Sequence, residues 1–176
     1  MGEQRALAVM FAGGGTGGHL FPGIAVAEEL QKRCHDVDIV FVGTERGIEA
    51  SVLPREGFPV EYVGAVGFAG TGFVRKLKSL LRMVAAVQDS FAIIGRRRPD
   101  IIIGLGGYAS FATVLAGLLK KIPTVVLEQN SVPGLANKVL GRFAQAVCVT
   151  YQESMAFFPK HKTYLTGNPI SDRILR

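Results

Sequence analysis

Little in this 176-residue sequence serves disulfide or metal chemistry, since it holds two cysteines and three histidines. Cys34 and Cys148 lie far apart and lack the paired spacing of a metal set or redox motif. They read as reduced, semi-buried thiols. No uncharged apolar stretch approaches the ~20 residues of a membrane-spanning helix. The opening Met1-Gly2-Glu3-Gln4-Arg5 runs straight into a strand-like segment without a secretory layout, so a cytoplasmic protein is expected. Repeats, low-complexity tracts and internal linkers are missing too. Acids are scarce where bases collect: Asp89 is the single acid in 73–98, against Arg75, Lys76, Lys78, Arg82, Arg96, Arg97 and Arg98. A net charge of +6 suits nucleic acid, anionic lipid or a phosphorylated substrate, and composition does not choose among them.

What is present is the composition of one globular domain, 48% apolar and 19% charged, long enough to bury a core. Short runs rich in Val and Ile, at 7–12, 37–42, 60–63, 100–103, 123–127, 146–150 and 163–166, read as strands. Several are apolar throughout, as strands covered on both faces of a parallel sheet should be. Segments 21–34, 46–56, 73–97, 108–121, 133–142 and 152–158 read as helices. The alternation predicts an α/β fold, a doubly wound Rossmann-like parallel sheet of about seven strands with right-handed crossovers. The glycine-rich stretch 64–72 is the expected mobile loop.

Two glycine-rich turns carry the functional signal: Gly13-Gly14-Gly15-Thr16-Gly17-Gly18-His19 after the first strand, and Gly104-Leu105-Gly106-Gly107-Tyr108 after the fourth. Glycine permits positive φ and lets a ligand approach the backbone closely. A helix N-terminus beyond each turn offers unpaired N–H groups and partial positive charge. In the strand order 3-2-1-4-5 the two turns meet at the switch point, where ligands of such sheets bind. Two linked phosphates are the expected ligand. Gly13, Gly15 and Gly18 also fit the dinucleotide fingerprint, with Asp36 or Asp38 near the distance of a ribose-binding acid. No Gly-Lys-Ser/Thr closes the turn, so it is not a P-loop.

His19 sits at the mouth of the expected cleft, either as a general base, with an unperturbed pKa near ~6.5, or as a group that orients the loop. His35 and His161 read as solvated. Glu128-Gln129-Asn130-Ser131 follows the fifth strand and could bind hydroxyls or amides of a sugar; Asn130 and Ser131 could instead cap the next helix. Tyr108 is either a helix-start aromatic or a hydroxyl reaching the crevice. In 73–87, Phe73, Leu77, Leu80, Leu81 and Val84 follow i, i+3, i+4 spacing with cations between them. That is a surface helix with a solvated basic face, or one that dips into an anionic membrane interface.

Gly14-Gly15-Thr16-Gly17-Gly18-His19, Phe21-Pro22-Gly23, Gly106-Gly107-Tyr108-Ala109-Ser110, Glu128-Gln129-Asn130, Gly134-Leu135-Ala136-Asn137-Lys138 and Gly167-Asn168-Pro169 together resemble the MurG-type N-acetylglucosaminyltransferases. The likeness runs in order from residue 7 to the end of the chain. It implies the N-terminal half of a GT-B glycosyltransferase, with an acceptor-binding domain over 1–166 and the start of an interdomain linker over 167–176. The donor-side domain would lie beyond Arg176. The implied reaction moves N-acetylglucosamine from UDP-N-acetylglucosamine to the muramoyl sugar of an undecaprenyl-diphosphate-linked acceptor, lipid I, in peptidoglycan synthesis. By the same resemblance Thr16, Gly17, Gly18 and Asn130 contact the donor, and His19 is the base. Gly14, Gly15, Gly106 and Gly107 meet the diphosphate, while Tyr108, Glu128 and Gln129 line the acceptor cleft. Phe73, Arg75, Lys76, Leu77, Leu80 and Arg82 would face the anionic cytoplasmic surface of the inner membrane. No cofactor, metal or nucleic-acid partner is implied. Ser171 stands where many members carry an arginine, with Arg173 nearby, and Leu127 stands where relatives often have histidine. A dinucleotide-binding oxidoreductase domain and a non-catalytic membrane-recruiting subunit are the alternatives.

Overall fold

In the computed structural model, residues 5–34, 36–64 and 73–171 are described, with the side chains of 73–78 left aside. The expected mobile stretch lies mostly outside them, as do His35 and Arg173. Seven parallel strands form one sheet in the order β3-β2-β1-β4-β5-β6-β7. They are β1 (Leu7–Gly13), β2 (Val37–Gly43), β3 (Val60–Tyr62), β4 (Ile101–Gly106), β5 (Thr124–Glu128), β6 (Ala146–Val149) and β7 (Thr163–Leu165). The connecting helices are α1 (Gly17–Arg33), α2 (Glu49–Arg55), α3 (Phe73–Arg97), α4 (Gly107–Leu119) and α5 (Leu135–Leu140). Residues 152–158, expected as a helix, are a 3-10 turn at Gln152–Phe157.

The alternation of side chains along a strand divides the core into two layers. Val9 and Phe11 of β1 join Ile39, Phe41, Ile103 and Leu105 under α1 and α2. Met10 and Ala12 point the other way and join Val40, Val42 and Ile102 under α3, α4 and α5. Both sets are apolar because a doubly wound sheet has no wet face. Phe11 and Phe41 stack at 4.9 Å between ring centroids, and Phe58 closes on Phe41 at 5.2 Å.

After β7 the chain returns across α1, where the Ser171 hydroxyl donates to Glu28 Oε2 at 2.6 Å. Residues 167–171 therefore lie against the domain over its first helix.

Candidate functional site

The central strands end in glycine for a geometric reason. A register shift between Ala12 and Gly13 sets Gly13 opposite Gly106. Both have positive φ, 128° and 112°, which side chains rarely tolerate. A Cβ on Gly13 would stand 2.5 Å from the Gly106 carbonyl oxygen, so the two turns touch backbone to backbone. Gly14, Gly15 and Gly107 also have positive φ. The two turns meet at the switch point, between β1 and β4, as expected from the order of elements.

α1 begins at Gly17, earlier than the sequence pattern suggests, so Gly17, Gly18 and His19 form its first turn. Thr16 caps the helix without a side-chain hydrogen bond. Its hydroxyl instead meets His19 Nδ1 at 3.1 Å. The imidazole lies over Gly106, where a Cβ would come 3.0 Å from Nε2. His19 thus depends on both turns: the first carries it, and the second leaves room for its ring. Space stands open above Gly15 and Gly18.

β5 delivers Glu128, which is 2% exposed. Its Oε1 accepts from the Asn130 backbone N–H at 2.8 Å and from Asn130 Nδ2 at 2.9 Å. Oε2 accepts from Asn137 Nδ2 at 3.0 Å and the Gly134 N–H at 3.3 Å. This carboxylate organises the β5–α5 turn and holds Asn130 in place. α5 is capped by Gly134, so neither Asn130 nor Ser131 serves as its cap residue. The Gln129 amide is buried with neither polar atom hydrogen-bonded.

His19, Gly106, Gly107, Tyr108, Glu128 and Asn130 line one cleft of about 580 Å³, whose further walls come from α3, α4 and α5. Gly15 borders a second cleft on the β2–β3 side, with Thr44, Arg46 and Arg82. Gly17 and Gly18 border a third, beside Asn168 and Pro169. The candidate residues therefore ring the carboxyl end of the sheet instead of filling one cavity.

Glu49, at the start of α2, is absent from the sequence-based set. It is 1% exposed and accepts from the Gly15 N–H at 2.7 Å, the Thr44 N–H at 2.8 Å and the Thr44 hydroxyl at 3.1 Å. A Cβ on Gly14 would stand 2.7 Å from its carboxylate, and one on Gly43 or Gly47 would strike the same side chain. The Gly15 N–H is thus already engaged by an anion of the chain itself. The trace in sequence is a turn in which Gly43 and Gly47 lead up to Glu49, and only the fold shows that its side chain, and not that of Glu45 between them, fills their space.

The dinucleotide alternative loses its ribose acid. Asp38 pairs with Ala8 in the sheet register and Asp36 accepts from the Leu7 N–H, both at the amino end of β2. The glycine turns lie a full strand away, at the carboxyl end. The same placement removes the Asp36-Val37-Asp38 pair from any role at the crevice.

α3 is one 25-residue helix with basic residues at both ends. Arg96 and Arg97 are bound to Glu61 at 3.0 and 2.8 Å, so the C-terminal cations serve the fold. Near the other end, Leu80, Leu81, Arg82 and Val84 are exposed. Phe73, Arg75, Lys76 and Leu77 lie on the same helix, and their side chains fall outside the described set. Among the described residues no helix is long and apolar enough to cross a membrane.

A doubly wound sheet of this order is the architecture of the N-terminal half of a GT-B glycosyltransferase. The model of the glycosyltransferase family 28 N-terminal domain matches residues 9–149, and the chain belongs to that family. It is 53% identical over 167 residues to the UDP-N-acetylglucosamine–N-acetylmuramyl-(pentapeptide) pyrophosphoryl-undecaprenol N-acetylglucosamine transferase of Thermodesulfovibrio yellowstonii, covering 95% of this chain and 46% of that protein. Its identity to the Myxococcus xanthus protein of the same name is 52%, with coverage of 95% and 44%. The crystal structure of Acinetobacter baumannii MurG superposes with a TM-score of 0.76 at 27% identity, over 92% of this chain and 45% of that one. UDP-GlcNAc 2-epimerase from Neisseria meningitidis, at 18% identity and a TM-score of 0.68 over 96% and 48% of the two chains, shares the fold. The chain spans about half the length of the curated relatives it matches.

Proposed function

We propose that this chain is the acceptor-side domain of an inverting N-acetylglucosaminyltransferase that converts lipid I to lipid II at the cytoplasmic face of the inner membrane. The observation that carries the proposal is the contact of the two glycine turns at the switch point, with the His19 ring lying over Gly106. A diphosphate is large enough to touch both turns. The names of the relatives supply the chemistry: a UDP-linked N-acetylglucosamine donor and a polyprenyl diphosphate acceptor.

In this mechanism the acceptor diphosphate lies along Gly14, Gly15, Gly106 and Gly107. Tyr108, Glu128 and Gln129 shape the acceptor side. His19 Nε2 removes the proton of the acceptor hydroxyl as its oxygen attacks the anomeric carbon, and UDP leaves from the opposite face. His19 Nδ1 lies 3.1 Å from Thr16 Oγ1; with the proton on Nδ1 and donated to that hydroxyl, Nε2 is the nitrogen that accepts. Charge building on the UDP leaving group meets helix N-termini, with Thr16, Gly17, Gly18 and Asn130 contributing from this side. The second domain completes the donor site.

The decisive experiment titrates the 176-residue chain by calorimetry with a polyprenyl-diphosphate sugar analogue, UDP-N-acetylglucosamine and NADH. Expected are binding of the lipid analogue, weak binding of the UDP-sugar and none of NADH. Preference for NADH would overturn the proposal.

A further inference from the structure

We propose that Glu49, which stands outside the cleft that holds His19, is a positioning residue for the transfer reaction and acts on the base through the first glycine turn. This rests on the base role of His19 proposed above and adds the group that aims it. Glu49 Oε2 accepts from the Gly15 N–H at 2.7 Å. The next residue, Thr16, places its hydroxyl 3.1 Å from His19 Nδ1, and the Thr16 carbonyl oxygen accepts from the His19 N–H at 3.3 Å. Oε1 reaches the other way, to the Thr44 N–H at 2.8 Å and the Thr44 hydroxyl at 3.1 Å, just past the end of β2. One carboxylate thus clamps the end of β2 to the residue that leads into the Thr16–His19 pair.

Such a clamp costs more than filling a hole would. Glu49 is 1% exposed, and a buried carboxylate gives up its hydration. An apolar side chain of similar size would fill the space left by Gly14, Gly43 and Gly47 without that cost. Gly15, by contrast, is exposed and has a positive φ of 80°, with open space where a side chain would stand. Its N–H needs no protein partner, because water satisfies it. What the buried carboxylate adds is direction, on a segment that packing does not hold. Direction matters at His19, whose ring lies over Gly106 and whose Nε2 must meet the acceptor hydroxyl. A misplacement of ~1 Å in a reacting group can cost about 10²-fold in rate.

The test is a double-mutant cycle on kcat in the full-length enzyme, with Glu49→Gln and His19→Ala made singly and together. Glu49→Gln keeps the size of the side chain and removes one acceptor oxygen and the charge. With His19 present it is expected to lower kcat by about 10–10²-fold. In the His19→Ala enzyme the same substitution should change kcat by less than about twofold, because a group that acts through the base has nothing left to aim. Thr44→Val removes the hydroxyl that donates to the same carboxylate. It should repeat the pattern with a smaller loss, and it decides the question if Glu49→Gln does not fold. Equal losses in both backgrounds, or no loss in either, would overturn the positioning role and leave His19 as the base. A near-normal rate for His19→Ala alone would instead overturn the base, and the positioning role with it.

Discussion

Glu49 is the residue on which the first glycine turn rests. Its carboxylate holds the Gly15 N–H and both donors of Thr44 inside a space that Gly14, Gly43 and Gly47 leave open. Removing it takes the acceptor from the exposed Gly15 and the half-buried Thr44, and a lost hydrogen bond to a charged group costs about 1.5–3 kcal/mol. Glu49→Ala should therefore lower stability by at least that amount in urea unfolding, and should weaken pyrophosphate binding as the turn loosens. His19 offers a second test. In the full-length enzyme His19→Ala should lower kcat by ~10²–10⁴-fold, the usual worth of a general base, with little change in KM for either substrate. A near-normal rate would confine His19 to holding the loop. Cys148 gives a third. Burial pushes its thiol above the ordinary range, so it carries less thiolate at neutral pH than a free cysteine. Alkylation followed by mass spectrometry should find Cys148 protected in the native chain until the pH is well above ~8.5, and reactive once unfolded.

At the scale of elements, α3 combines two jobs that its sequence does not separate. Its buried Ala86, Ile93 and Ile94 belong to the core, and Arg96 and Arg97 tie it to Glu61. Its other end offers exposed Leu80, Leu81 and Val84 beside Arg82. The proposed membrane contact predicts that the chain sediments with vesicles rich in phosphatidylglycerol and not with neutral ones. Binding should weaken with added salt as the charges are screened. Lys76→Glu combined with Arg82→Glu should release the protein, and unchanged binding would remove the membrane role. The seven strands and the run of α3 were legible in sequence because long apolar or periodic segments override their surroundings. The start of α1 was not. Glycine, threonine and histidine have weak helix preference, and a helix that opens on Gly17 exists because the sheet packs the turns that follow.

For the whole molecule, acid sensitivity follows from carboxylates bound by the fold. The Ala8 N–H, together with the charge and hydrogen bond of Arg5, holds Asp100 below the usual carboxylate range. Burial acts to raise Glu61, but hydrogen bonds and charge from Arg97 and Arg96 outweigh it and lower the group. Depressed folded-state values contribute stability above the unfolded value, near ~4, and lose it as pH falls through the folded value. The thermal midpoint should therefore hold from neutrality to about pH 5 and fall below pH 4. Asp100→Asn should flatten part of that fall. Turnover belongs to the same scale. Transfer needs donor and acceptor held in one geometry, so the 176 residues by themselves should give no product, and adding the donor-side domain should restore it.

What the sequence determined by itself is the sheet, its order and the meeting of the two glycine turns at the switch point. Strand and helix periods are local, and the glycines that must turn through positive φ announce themselves by composition. Tertiary structure decided how the candidate residues divide. It placed Asp36 and Asp38 at the wrong end of β2, turned the Glu128 carboxylate inward to Asn130 and Asn137, and brought Glu49 under a turn 34 residues away in the chain. No local pattern carries that information, because a polar side chain has the same sequence signature whether it faces a ligand or satisfies its own backbone. Only the packing of one turn against another decides which it does.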